Sequence, residues 1–565
     1  MCGSQMVRPG VTSLLKDGSR AFSGLDEAVL RNIEACINLC EITETSYGPR
    51  SMNKLIVNHI GKHFITSDVT TIVEELEIQH PAVKMIVMAC KRQSEEYGDG
   101  TNTVLILCGE LLKNAAKLLT INGLHPMDII KGYEMALEKV TKFMESLVCF
   151  KIENFKDKSE IYKSVFPIVT TKHHGYNELL SDLISEACAD VMPDDTERIR
   201  DFQVDNVRIV KLLGGSPMQS FTLSGMIISK EPSGTVRSIN NQCNVMVLGC
   251  GLEMTGTEAK GTVVLKNADE LLNFTRDEEQ LMENLIKDIK VSGNVDVIIT
   301  GGPISDIAQH FCNKYNILTL RVMSKWELRR ICRSLGAVAM VRLGIPLPEE
   351  VGRSKSINVQ EIGSKKVTII NALNKKVTSI VLRGSTQSLL DEMERCVLNA
   401  VSCVKSSTKD NRFIPGGGAT AIEISRRLRL TNIDNENNIK LSHISLEGYA
   451  IEKYAESLEV FPKLLAQNTG LSPTDILASL YSIHQNETNS KIGINLLHSS
   501  GTSPLMDCLN NKENCIMIDH LQTIVSAFKL ATDAATTILS IDEIIIAKPA
   551  GGPKPPSSTN NNDED

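Results

Sequence analysis

The chain has 565 residues, of which 42% are hydrophobic, 23% charged and 4% aromatic. That is an ordinary globular composition, long enough for about three or four domains and for a core that needs no covalent staples. A formal net charge of -8 excludes a global basic field of the kind that holds nucleic acid or an anionic membrane. The longest apolar runs, such as Val104 to Cys108, fall far short of the ~20 residues that span a bilayer.

The N-terminus has no apolar h-region, so no signal peptide is expected. Few aromatics and a single tryptophan, Trp326, leave few platforms for stacked bases. The 15 cysteines form no Cys-x-x-Cys pair. Their odd number points to reduced cytosolic thiols packed as small hydrophobes rather than to a metal site. His173-His174 has no thiol or acid cluster beside it and reads as a loop or surface feature.

In chain order, apolar residues at Val29, Ile33, Cys36 and Cys40 predict a helix from Asp26 to Ile42, stopped at Tyr47-Gly48-Pro49. Lys54 to Val57 and His63 to Thr66, with Gly61 between them, predict a hairpin. Ser67-Asp68 can cap a helix that ends before Pro81. Helices follow from Ala82, from Thr103 and over Pro126 to Leu147.

The middle changes character. Strands at Val295 to Thr300 and Ile317 to Val322 alternate with helices at Ile304 to Tyr315 and Lys325 to Ser334, an α/β pattern. A strand at Thr378 to Leu382 feeds a helix through about Val404. After Pro415 to Gly418 the chain is helical again to about Leu539, with a polar, solvent-exposed loop expected over Thr431 to Asn438. The segment from Lys548 has the composition of a disordered tail. This order predicts one helical domain built from both ends of the chain, with an α/β segment inserted.

Gly98-Asp99-Gly100-Thr101-Asn102-Thr103 is the sharpest chemical motif. Glycines let the backbone approach a phosphate, and the helix starting here aims free N–H groups at it. Asp99 offers a hard carboxylate for Mg²⁺. A capped helix start with a plain Asp-Gly turn is the simpler reading of the same six residues. Pro415 to Gly418 opens a helix in the same way, or serves as an interdomain hinge. Walker and kinase signatures are absent.

In this order and at these separations the motifs resemble the group II chaperonins. Thr45 to Lys54 is similar to that family's first nucleotide loop, Asp68 to the aspartate of its Asn-Asp-Gly element, Gly98 to Thr101 to its Mg²⁺ loop and Pro415 to Gly418 to its triple-glycine turn. Gly123 to Pro126 and Lys529 to Ala534 also fit. Phe22 to Asp26, Glu77 to Pro81, Asn102 within Gly98 to Asn102, and the tail Ala547 to Pro556 single out one subunit type among the paralogues.

The resemblance implies a multidomain α/β fold. An equatorial ATP domain would take 1–150 and 407–547, an intermediate hinge 151–218 and 378–406, and an apical substrate domain 219–377, leaving 548–565 as tail. A helical tip near Leu271 to Leu285 would contribute to a built-in lid, and the nearby Glu278-Glu279 reads as a solvated face. The implied cofactors are ATP and Mg²⁺. The implied partners are paralogous subunits in a cytosolic double ring and unfolded or nascent polypeptides, actin- and tubulin-like clients among them, with no nucleic acid and no membrane. Tyr47, Gly48, Gly100, Thr101, Asn102, Thr103, Thr170, Thr171, Lys172, Gly417 and Asp519 would contact nucleotide, and Asp99 would hold Mg²⁺.

Two departures from the family pattern matter. Ser51 stands where glycine is usual; if that position needs positive φ, serine carries about 1 kcal/mol of strain. Counting back from Pro415 places Asn399 where the family carries its water-activating aspartate. Asp391 lies about 12 Å away along a helix and Glu394 about 140° around it, so neither should substitute. Asn399 can accept a hydrogen bond from water but cannot take its proton; losing a general base commonly costs ~10²- to 10⁴-fold. Asp68 remains as a second acid. The sequence therefore supports a folding subunit that binds MgATP and hydrolyses it slowly. The alternatives are a structural ring member that binds without turnover and a free-standing Mg²⁺-dependent kinase.

Overall fold

The computed structural model describes residues 20–23, 28–172, 175–193, 196–253, 268–363, 365–438, 446–485, 489–496, 503–509 and 516–546. His173-His174, most of Phe22 to Asp26 and the tail from Lys548 lie outside the described residues.

The first helical unit joins the two chain ends. It holds α1 (Leu30–Glu44), α2 (Val69–Glu75), α3 (Pro81–Tyr97), α4 (Thr101–Thr120) and α5 (Pro126–Ser146) from the N-terminal side. Strand β1 (Arg20–Ser23) precedes them, and the hairpin of β2 (Lys54–Val57) and β3 (His63–Thr66) projects between α1 and α2. Proline at the first position of α3 and α5 fits the N–H groups that a helix start leaves unpaired. α4 is apolar around most of its circumference, so it runs through the centre of this core.

Next come β4 (Phe150–Lys151), α6 (Lys158–Lys172), α7 (Asn177–Val191) and β5 (Val207–Leu213). The inserted α/β segment follows: β6 (Phe221–Ile228), β7 (Cys243–Leu248), α8 (Ala268–Val291), β8 (Val297–Thr300), α9 (Asp306–Lys314), β9 (Leu318–Arg321), α10 (Lys325–Leu335), β10 (Ala339–Met340), β11 (Gly352–Ile362) and β12 (Lys365–Ala372). β7, β8 and β9 pair in parallel through α8 and α9, since parallel neighbours need crossovers. Period-two burial splits this sheet cleanly: Val245 and Val247 face one core, Met246 and Leu248 the other.

The chain then returns through β13 (Thr378–Gly384) and α11 (Gln387–Ser407). β13 pairs in parallel with β5 and antiparallel with β6, so one nine-stranded sheet carries the return path and the insertion together. α11 packs with α6 and α7 in a second core, where Ile380 and Leu382 meet Val397 and Val401.

β14 (Arg412–Pro415) leads into α12 (Ala419–Asn438), α13 (Leu446–Leu458), α14 (Val460–Thr469) and α15 (Pro473–His484). A hairpin of β15 (Ile492–Ile494) and β16 (Leu505–Asp507), then β17 (Ile518–His520), α16 (Leu521–Leu539) and β18 (Glu543–Ile546), complete it. β18 pairs with β1, tying the two ends of the described chain. α12 runs to Asn438, so the loop expected over Thr431 to Asn438 is helical backbone. Polarity there signalled solvent, but the segment holds no glycine or proline to break a helix.

The described cysteines are free thiols, most of them buried. Burial pushes Cys36 and Cys90 up to about 12, so they pack as apolar groups. Among the described residues no helix is long and apolar enough to cross a membrane.

Candidate nucleotide cleft

α3 ends and α4 begins around two left-handed glycines. Gly98 at φ 74° caps α3, and Gly100 at φ 81° precedes α4. A Cβ at Gly98 would lie 2.5 Å from the Ser402 Cβ, so that position excludes a side chain by space as well as by φ; one at Gly100 would press on the Gln93 Nε2 at 3.0 Å, and its φ already favours glycine. The loop thus presents Asp99 to solvent at the mouth of a cleft. The N–H groups of Thr101, Asn102 and Thr103, which have no intrahelical acceptor, point the same way.

Other segments close that cleft. Tyr47 and Gly48 follow α1, pinned by Asn468, whose Nδ2 donates to the Glu44 and Tyr47 carbonyls at 3.1 and 2.7 Å. Gly417, at φ 59°, lies against β15, where the Ile494 N–H donates to its carbonyl at 2.9 Å. Thr171 and Lys172 come from the end of α6, and Asp519 from β17. The space among these segments is about 840 Å³, with an apolar annex of about 560 Å³ toward Phe166, Ile168 and Met517. Thr170 borders the annex, its hydroxyl turned back to the Phe166 carbonyl at 2.7 Å.

The electrostatic centre is Asp68, the N-cap of α2. Its Oδ2 accepts from the Thr71 N–H at 3.3 Å and the Thr71 hydroxyl at 3.0 Å. Its Oδ1 accepts from Lys172 Nζ at 3.1 Å and from Asn399 Nδ2 at 3.3 Å. Burial pushes this carboxyl up, but the Lys172 charge and the donated hydrogen bonds outweigh it and hold Asp68 below the usual range. Lys172 also lies 3.7 Å from Asp99. Burial pushes that ammonium down, yet the two carboxylates win and raise it. Asp519 faces the cleft, but the surrounding protein and then the Asp99 charge push it up to about 7. Burial, reinforced by Asp519, raises the Tyr47 hydroxyl.

Asn399 therefore sits beside Asp68, on α11. Asp391 and Glu394 both grip Lys211 at 2.6 Å, so neither is available to the cleft. Ser51 is not in the left-handed region, and the strain considered for it does not arise.

The donor set fits a magnesium nucleotide. Free helix N–H groups, glycines at close approach and Lys172 suit phosphates. Among the described residues no group of three or more His, Cys, Asp or Glu side chains is arranged to hold a metal ion by itself. A lone carboxylate, Asp99, fits an ion that keeps waters and takes its other oxygens from phosphate. Asn102 leaves its Oδ1 buried without a partner at this same helix start.

Sequence reasoning missed Gln93 and Asn468, which hydrogen-bond to these loops, and Ser402, which packs where a Cβ on Gly98 would stand. Gln93 had a signal: a polar residue at the phase of the buried stripe of α3. The other two had none.

The fold is that of a chaperonin subunit, and the family match agrees. The chain matches the TCP-1/cpn60 chaperonin family over residues 39–549 and belongs to that family. Within it, the chain is similar to theta subunits. It is 42% identical to T-complex protein 1 subunit theta of Bos taurus over 559 residues, covering 99% of this chain and 98% of the relative. It is 43% identical to subunit theta of Arabidopsis thaliana over 560 residues (98% and 97% covered), and 39% to the probable subunit theta of Schizosaccharomyces pombe over 555 (98% of each).

Proposed function

We propose that this chain is a subunit of a cytosolic, hetero-oligomeric double-ring chaperonin that binds MgATP and folds unfolded polypeptides, with slow hydrolysis at its own site. The equatorial, intermediate and apical divisions follow the boundaries that the resemblance implies. Thr101 to Thr103, Gly48, Gly100 and Gly417 would hold the phosphates and sugar, Thr171 and Lys172 would close over them, and Asp519 would meet the ribose. Asp99 would hold Mg²⁺, which when bound neutralises phosphate charge.

The observation that carries the slow-turnover reading is the saturation of Asp68. An ionised carboxylate has about four acceptor sites, and four donors already occupy them. A carboxylate so engaged, and held below its usual range, is a weak base for water. Asn399 spends an amide N–H on Asp68 instead of supplying a second carboxylate. Hydrolysis would then rest on positioning, which phosphoryl transfer tolerates better than most reactions.

A second reading, a structural ring member that never turns over, is favoured by the same Asn399 contact. Rapid-quench hydrolysis in particles where only this subunit carries intact nucleotide residues separates them. Slow ADP formation supports the first, none supports the second, and a rate equal to that of the paralogues sinks both.

A further inference from the structure

Gln93 is fully buried on α3, in line with Ala82, Val83, Ile86 and Cys90. Its Nε2 donates to the Asp99 carbonyl at 3.0 Å and to the Thr523 carbonyl at 3.0 Å, which uses both N–H bonds of the amide. Its Oε1 is buried without a partner. Leaving a buried acceptor unsatisfied is costly, and an apolar side chain of the same length would avoid it. Donation to those two carbonyls is therefore what this residue supplies. The amide is also wedged beneath the loop, 3.0 Å from where a Cβ on Gly100 would stand.

The two carbonyls lie on separate segments beside the cleft. One is in the peptide between Asp99 and Gly100, and the other is in the first turn of α16, just after Asp519. The N–H groups of Thr101 to Thr103 are oriented by α4 itself, which begins with Val104 N–H donating to Gly100 O at 3.1 Å. Asp99 belongs to no helix; Gln93 grips its backbone carbonyl, while Lys172 Nζ lies 3.7 Å from its carboxylate.

We propose that Gln93 is a positioning residue for divalent-cation binding: its amide fixes the Asp99 carboxylate over the cleft by clamping the Asp99 carbonyl to the start of α16. This rests on the cleft being a MgATP site.

The test uses the full chain and a fluorescent ATP analogue, titrated across Mg²⁺ concentrations and in EDTA. Gln93→Met keeps length and apolar packing but removes the donors. The expected result is a rise of about tenfold in the Mg²⁺ concentration at half-saturation, with Mg²⁺-free nucleotide affinity within about twofold of the unsubstituted chain. Backbone amides from Gly98 to Gly100 should also exchange faster in the nucleotide-free variant. Gln93→Leu, smaller and apolar, also removes the donors without adding a charge and carries the same prediction should Gln93→Met fail to fold. An unchanged Mg²⁺ half-saturation overturns the proposal, as does an equal loss with and without Mg²⁺, which marks a merely structural role. If the unsubstituted chain binds no analogue at any Mg²⁺ concentration, the MgATP reading itself fails, and unaltered exchange at Gly98 to Gly100 would then overturn the clamp as well.

Discussion

Asp68 and Asn399 lie 3.3 Å apart across two elements, and the proposed slow turnover rests on that pair. Substituting Asn399→Asp would place a second carboxylate against Asp68, and two such groups push one pKa upward, creating a better base. We expect turnover at this site to rise on the order of 10²-fold, read as a larger phosphate burst from the assembled particle. An unchanged burst would mean that Asn399 is not what limits it. Asp519 gives a pH prediction. Its folded pKa, about 7, lies above the ordinary aspartate value of 3.8, so the folded state binds the proton more tightly. Its contribution to stability is complete below pH 3.8 and is lost as pH rises through about 7. Asp519→Asn should therefore raise the Tm of the nucleotide-free chain by a margin that grows from pH 5 to pH 7 and levels off above pH 8. A margin that shrinks with rising pH would contradict the assignment.

At the scale of elements, the contact between α11 and the turn from α3 to α4 is governed by Gly98. A Cβ there would meet the Ser402 Cβ at 2.5 Å and the Asn399 carbonyl at 3.0 Å. Gly98→Ala should cost ~1–2 kcal/mol from its φ alone, plus the displacement of α11. Adding Ser402→Gly should recover part of that second loss, with a coupling of ~0.5–3 kcal/mol in a thermal-denaturation cycle. Strict additivity would show that α11 does not press on this turn. Much at this scale was legible in the sequence. The hairpin edges at Lys54, Val57, His63 and Thr66 match the strands, because alternation and a turn glycine mark both ends. The Asp68 cap and the two glycines flanking Asp99 were legible for similarly local reasons. The loop at Thr431 to Asn438 was misread because polarity reports exposure and not backbone geometry. Contacts set by tertiary packing had no local signal, and only the family resemblance put these residues at one site: Lys172 is 104 residues from Asp68, and Asn399 is 331 away. Nothing local announces that those three meet, nor that Lys211 removes Asp391 and Glu394 from the cleft.

For the whole molecule, the arrangement of cores matters most. α4, α16 and the glycine loops belong to a core drawn from both chain ends, α6 and α11 to a second core, and the insertion forms others around the shared sheet. Lys172 and Asn399 reach the cleft from the second core, so a ligand bridging Asp99 and Lys172 couples the two bodies. A native mass of about a megadalton is expected if 62.0 kDa chains assemble with paralogues into a double ring; a monomer would favour a free-standing ATP enzyme. The most direct test is to see which nucleotide this site holds in that assembly. After incubation with MgATP through several turnovers of the whole complex, imaging each subunit should show intact ATP beside Asp99 and Lys172 here while paralogues hold ADP. ADP at this site would contradict the account, because hydrolysis here would then keep pace with the paralogues despite Asn399 and the saturated Asp68.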